Sequence, residues 1–208
     1  MQRRLIALNF ERSRDSQRPP TDRGNRLRMT GFATPIQLRI STPVGDDLMI
    51  VRNDRAIVSS TFVPHRRATR SKATDALLAE AAEQVRAYFG GRLRCFDLPL
   101  EFNGSEFQIE VWNAVASLSF GEFVSYADVA RAIGKPLAHR GVAAATAATP
   151  IDLFVPAHRV IGADGRVKGA APRSVRLRLV EFELARCARP ARMPRFPSSV
   201  RRSAIDRR

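Results

Sequence analysis

The chain has few of the residues from which covalent frameworks and metal centres are built. Its 208 residues hold two cysteines, Cys95 and Cys187, and three histidines, His65, His139 and His158. Two distant cysteines make no disulfide framework and cannot supply a multi-thiolate zinc site, and the histidines lack ligand spacing. No metal and no cofactor is expected. Long apolar runs are also missing. Nothing approaches the ~20 residues of a membrane-spanning helix. The opening "MQRRLIALNF" has a four-residue apolar run, Leu5 to Leu8, too short for a secretory signal. A cytoplasmic protein without membrane contact is the expectation.

Acidic residues are scarce as well: 20 Asp and Glu face 35 Lys and Arg, a net charge of +15. The excess sits at the ends. Residues 1–34 carry +5 and residues 185–208 carry +7, leaving +3 for everything between. The ends are rich in Pro and Arg and have no hydrophobic period. We therefore expect a disordered basic leader over 1–34 and a disordered basic tail over 186–208. Such ends add salt-sensitive attraction to phosphates or are simply solvated; charge does not decide between the two.

Between them the pattern is that of an α+β protein. "IQLRIST" alternates, "DLMIVRND" and "AIVSSTFV" follow as strand-like runs, and "TPVG" makes a turn between the first two. "TDALLAEAAEQVRAYFGG" reads as a helix capped by Thr74, with a stripe of Leu77, Leu78, Ala81, Ala82, Val85 and Phe89, and stopped by Gly90–Gly91. "CFDLPLEFNG" reads as a short strand and turn. These elements make one small domain, 35–102. From residue 103 to 185 the chain is mostly helical. "EFQIEVWNAVASL" places Phe107, Val111, Trp112 and Val115 at helical spacing. "VSYADVARAIG" has a capping box in Ser125 and Asp128 and a stop in Gly134. After "KP", "LAHRGVAAATAA" forms another helix, and the pair has the form of a helix-turn-helix. That last helix is thin, rich in alanine, with Arg140 as its only formal charge. A thin helix suits either close packing in a core or a groove of DNA.

Three stretches, "FQIEVWNAV", "GEFVSYADVARAIGKPLAHRGVAAA" and "VPAHRVIGADGRVKG", come in the order and spacing of the O6-alkylguanine-DNA alkyltransferases. The chain resembles that family from about Ile36 to Glu183. The resemblance implies a ribonuclease-H-like N-terminal domain and a winged-helix-like C-terminal domain that docks in the minor groove and rotates the damaged guanine into a pocket. Base extrusion and a wedge in the stack are what chemistry on a base requires. On this resemblance Arg140 is the wedge, Tyr126 presses on a phosphate, and Ala138, Gly141 and Ala144 face the groove. A buried tyrosine with a satisfied hydroxyl is the plainer account of Tyr126. The pocket would be formed by Val155, Pro156, Ala157, His158, Arg159, Ala170 and Ala171.

The family transfers the alkyl group to a cysteine in Pro-Cys-His-Arg-Val, which is activated by a histidine acting through a water on a glutamate in the last helix. This chain has Pro156, His158, Arg159 and Val160, but Ala157 at the cysteine position. Glu183 matches the glutamate if one residue is omitted after Gly169. Thr149 stands where the family has an asparagine, Ala170 where it has a pocket tyrosine, and Pro172–Arg173 where it has two glycines. A methyl side chain cannot attack carbon, so no catalytic residue is expected. The pattern resembles the alkyltransferase-like proteins, which bind O6-alkylguanine in double-stranded DNA as monomers and flag it for nucleotide excision repair proteins. Two alternatives stay open. One is a methyltransferase with an engineered or substitute nucleophile, Cys187 being four residues past Glu183. The other is a general DNA-binding regulatory protein.

Overall fold

A computed structural model describes residues 36–65, 75–167 and 174–187. Three antiparallel strands, β1 (Ile36–Ser41), β2 (Asp46–Arg52) and β3 (Ile57–Pro64), form a sheet in that order, with Ile36 opposite Arg52 and Asp46 opposite Pro64. Their alternation puts Leu38, Leu48 and Ile50 inward. β3 ends the sheet, and its outer edge does not stay bare. The Ile57 amide donates to the Pro99 carbonyl at 2.8 Å and the Ser60 amide to the Pro150 carbonyl at 3.0 Å. An edge paired in this way offers no template to another chain. The segment "CFDLPLEFNG", expected as a strand, contributes only a single bridge of Leu100 to Ile57.

Helix α1 (Ala76–Phe89) packs against β1. Its cap is Asp75, whose side chain accepts from the Leu78 amide; Thr74, the expected cap, lies outside the described residues. The buried stripe runs through Leu78, Ala81, Ala82 and Val85 to Tyr88, so the aromatic at its end is Tyr88 and not the half-buried Phe89. Helix α2 (Glu106–Ala116) begins with a capping box of Ser105 and Gln108. Strand β4 (Val124–Ser125) leads into α3 (Tyr126–Ala132), where the Ser125–Asp128 box forms as expected. Helix α4 (His139–Ala147) follows, and Trp112 of α2 donates its indole N–H to the Ala145 carbonyl at 2.8 Å, fixing α2 against α4. A single 3-10 turn (Ala157–Arg159) runs into β5 (Val160–Ile161), which pairs parallel with β4. Helix α5 (Val175–Leu184) closes the described chain, followed by Arg186 and Cys187 in a turn.

The architecture is α+β: a small N-terminal sheet domain and a helical C-terminal domain. One apolar cluster joins them, from Leu48, Ile50 and Ile57 through Leu78 and Val85 to Trp112, Val142, Ile151 and Val160. A smaller one, Phe123, Ile161, Val167, Leu177 and Val180, seats α5. The basic leader and nearly all of the basic tail lie outside the described residues.

Candidate functional site

The segment after α4 is placed by the sheet. Ser60 of β3 accepts from the Asp152 amide at 2.8 Å and donates its hydroxyl to the Asp152 carbonyl at 2.6 Å. Held there, the chain turns sharply: Leu153 takes φ 70°, in the left-handed region that a branched side chain rarely adopts. Strained backbone of this kind persists only where its surroundings enforce it. The turn delivers Val155, Ala157 and His158 to one wall of a cavity of about 180 Å³. Phe62 of β3, Asp152, Leu153, and Val175, Arg176 and Leu179 of α5 complete the walls.

Behind this wall lies Glu183, fully buried. Its Oε1 accepts from His158 Nε2 at 2.9 Å, from Arg159 Nη2 at 2.8 Å and Nε at 3.0 Å, and from the Tyr88 hydroxyl at 2.8 Å. Its Oε2 accepts from the Gly121 amide at 2.8 Å. Burial alone would raise the pKa of this carboxyl, but His158 and Arg159 together hold it well below the ordinary carboxylate range. An ionised carboxylate only accepts, so His158 Nε2 must carry a proton toward it. Burial also depresses the pKa of His158, against the pull of Glu183, so the imidazole is neutral with its proton on Nε2. Burial, then the charge of Glu183, pushes the Tyr88 phenol far up, and it stays a donor. Gly121 is needed for its own reason. It has φ +74°, and a Cβ there would lie 2.0 Å from Cys187 Sγ.

His158 and Glu183, which the resemblance links through a water, stand here in direct hydrogen-bond contact. Other expected site residues fall elsewhere. Arg159 does not line the cavity: its guanidinium points behind the turn to Glu183 and the Leu118 carbonyl. Pro156 is buried but not in the cavity wall. Ala170, Ala171, Pro172 and Arg173 lie outside the described residues. Thr149 only accepts, at 3.4 Å, from the Ile151 amide two residues on, and braces nothing across the site. Cys187 is not on α5, which ends at Leu184. It packs under Phe120 and Gly121, outside the cavity walls, and burial raises its thiol pKa. Cys95 is exposed. Among the described residues no group of three His, Cys, Asp or Glu side chains is placed to hold a metal ion.

On the helix-turn-helix, Arg140 and Ala144 are exposed, Ala138 is half-buried at the start of α4, and Leu137 in the turn is 91 % exposed. Gly141 corrects the expectation of a groove-facing residue. A Cβ there would meet the Phe107 ring at 3.1 Å, so its smallness serves the contact of α4 with α2. Tyr126 is 8 % exposed, and burial raises its pKa. Phe62, Tyr88, Asp152 and Arg176 escape the sequence reading, because nothing local in the chain ties them to residues 157–159.

Known proteins account for this arrangement. Residues 106–184 match the family described as "6-O-methylguanine DNA methyltransferase, DNA binding domain" and residues 39–102 its "ribonuclease-like domain". A methylated-DNA–protein-cysteine methyltransferase of Methanosarcina barkeri is 36% identical over 136 residues, 64% of this chain and 85% of that protein. One from Mycobacterium bovis is 36% identical over 152 residues, 71% of this chain and 91% of its own length. The crystal structure of Mycobacterium tuberculosis OGT in complex with DNA superposes with a TM-score of 0.62 at 32% identity, covering 74% of this chain and 95% of that one. Matched in both modules and spanning nearly the full length of such relatives, this chain belongs to the 6-O-methylguanine DNA methyltransferase family.

Proposed function

We propose that the protein binds duplex DNA containing O6-alkylguanine, without accepting the alkyl group, and so marks the lesion for nucleotide excision repair. The observation that carries this reading is Ala157. Ala157 and His158 of the 3-10 turn line the cavity, His158 is held from behind by Glu183, and the side chain at the transfer position is a methyl group. Transfer needs a thiolate that attacks the alkyl carbon and keeps it. Neither cysteine lines the cavity, and Cys187 is held in its thiol form. A substitute nucleophile finds no support here.

DNA binding rests on the family and on the solved complex of a relative with DNA. We take the modules as 35–102 and 103–185, with the cavity at their meeting. α4 lies in the minor groove, Arg140 enters the base stack, and Ala138 and Ala144 allow close approach. The lesion base is rotated into the cavity against Val155, Ala157 and His158. Tyr126, mostly covered by protein, offers its ring edge to the backbone. The protein acts as a monomer in the cytoplasm, on the nucleoid, and none of its described helices is long and apolar enough to cross a membrane.

One incubation tests this. The full chain is mixed with a duplex bearing a single radiolabelled O6-methylguanine. Gel shift against undamaged duplex and label on denatured protein are then read from the same sample. A lesion-dependent shift with unlabelled protein is expected, and Arg140→Ala should abolish the preference. Label on the protein, or equal binding of both duplexes, overturns the reading.

A further inference from the structure

We propose that the exposed arginines where α1 and α5 end form a second surface for the phosphate backbone of DNA, separate from the helix-turn-helix, so that one molecule holds two segments of duplex at once. This goes beyond the lesion-binding reading and does not depend on which base occupies the cavity.

Helices α1 and α5 end side by side. A Cβ on Gly91, just past α1, would lie 3.9 Å from the side chain of Arg186, just past α5. One on Gly90 would lie 3.6 Å from Arg92 Nε. Four exposed arginines meet at this junction: Arg86, Arg92, Arg94 and Arg186. Glu83 answers two of them, at 3.1 Å from Arg86 and 4.0 Å from Arg92. Arg94 and Arg186 pair with no carboxylate among the described residues. Four positive charges against the one of Glu83 leave this surface at +3.

Arginines past a helix end also complement its dipole, and an exposed basic face can simply be solvated. What sets this one apart is how two of the guanidinium groups are held. Arg186 Cζ lies 3.9 Å from the centre of the Phe182 ring, and its Nη1 donates to the Phe182 carbonyl at 3.4 Å. Arg94 Cζ lies 5.5 Å from the centre of the Phe120 ring. The two rings are neighbours, with centres 6.4 Å apart. A guanidinium seated on a ring loses less freedom on binding and keeps N–H donors for an oxyanion such as phosphate.

The place of this surface decides what it can hold. α5 is ten residues, about 15 Å long. Val175 and Arg176 in its first turn line the cavity, whereas Arg186 lies past its other end. None of the four arginines belongs to α3 or α4, so docking on the helix-turn-helix does not use them. The charge also continues from here in the sequence, since residues 185–208 carry +7. Phosphate contacts of this kind are independent of sequence and weaken steeply with salt.

The test captures one duplex through another. A biotinylated duplex with a single O6-methylguanine is fixed to beads, loaded with the full chain and washed. A fluorescent undamaged duplex is added over a range of salt, and bead-bound fluorescence is read. The parent should retain it. Arg92→Gln/Arg94→Gln/Arg186→Gln, with the basic tail intact, should retain about tenfold less at low salt, and its log–log salt slope should be shallower by about 2.7, three contacts at about 0.9 each. The variant should load onto the bead duplex as the parent does, which also shows that it is folded. Arg94→Gln alone should make the slope shallower by about 0.9. No retention by the parent overturns the proposal whatever the variants do. Undiminished retention by the triple variant overturns it too and assigns the capture to the tail; parallel loss of both duplexes in a folded variant assigns the arginines to the first duplex and refutes a separate surface. Beads carrying undamaged duplex run alongside: equal loading there removes the lesion reading and leaves the second surface still measured.

Discussion

Ala157 and Arg159 are two residues apart in one turn of 3-10 helix, and they face opposite conditions. On the Arg159 side every polar group is matched. Glu183 takes hydrogen bonds from three side chains and one backbone amide, contributed by α1, by the turn before β4 and by the 3-10 turn itself. On the Ala157 side the wall is a methyl group, two further polar side chains and apolar surface around open space. The contrast separates two jobs that the resemblance to the family assigns to this turn. Holding the motif in shape needs the Glu183 network; transferring an alkyl group needs the thiolate in front of it. On the proposed reading this chain has the first arrangement without the second, and the network then serves the fold and the pocket wall.

If the only missing part is the nucleophile, Ala157→Cys should convert a protein that takes no label into one that takes about one methyl group per molecule. Label on denatured protein measures it, and this all-or-none change is the largest effect expected. A folded Ala157→Cys variant that remains unlabelled would show that the front of the turn has departed in more than one residue, with Thr149 the first to examine.

The back of the turn breaks differently. Glu183→Ala leaves the Arg159 guanidinium buried without its carboxylate, and breaking a buried pair from one side costs about 3–5 kcal/mol. In a domain of this size that lowers melting by on the order of ten degrees. A smaller loss would mean that the network is less dry than its full burial implies. Tyr88→Phe removes one of the hydrogen bonds and none of the ring packing against Phe96, Phe120 and Phe182. A hydrogen bond to a charged group is worth about 1.5–3 kcal/mol, so denaturant unfolding should show a loss in that range. Because Tyr88 stands on α1 and Glu183 on α5, the same variant reports how strongly the sheet domain stabilises the site.

The two sides of the turn also differ in how readily they could be read from the chain. The three N-terminal strands, the Ser125–Asp128 cap and the helix-turn-helix are local patterns of period and capping, and they stand where the patterns put them. The pair His158–Glu183 came from likeness to a family, and the structure brings its atoms together. Tyr88 was hidden by its neighbour: Phe89 continues an apolar stripe equally well, and only the position of Glu183 across the core turns the helix toward the tyrosine. Asp152 and Arg176 are separated by a whole strand and loop, and each looks like an ordinary charged residue at the edge of an apolar run. Arg159 reads as a pocket residue in the sequence because its neighbours are; in a 3-10 turn, side chains two apart point to different sides.

His158 sits between the two sides, and pH separates its role from that of Arg159. Its pKa in the folded chain is depressed below the ordinary 6.5, first by burial. Below 6.5 the unfolded chain binds a proton that the folded one refuses, so stability must fall as pH drops from 6.5 toward the lower folded value, and it is fully present above 6.5. Glu183, whose folded pKa is also depressed, adds its own loss only at lower pH, below its ordinary 4.5. Melting of the parent should therefore be flat above neutrality and decline between pH 6.5 and 5. In His158→Gln, whose amide can still donate to Glu183, that decline should flatten, by less than the Tyr88→Phe loss. An unchanged slope in the glutamine variant would mean that His158 already reaches enough water to titrate normally, and the line between a dry back and an open front would then run behind it, at Arg159.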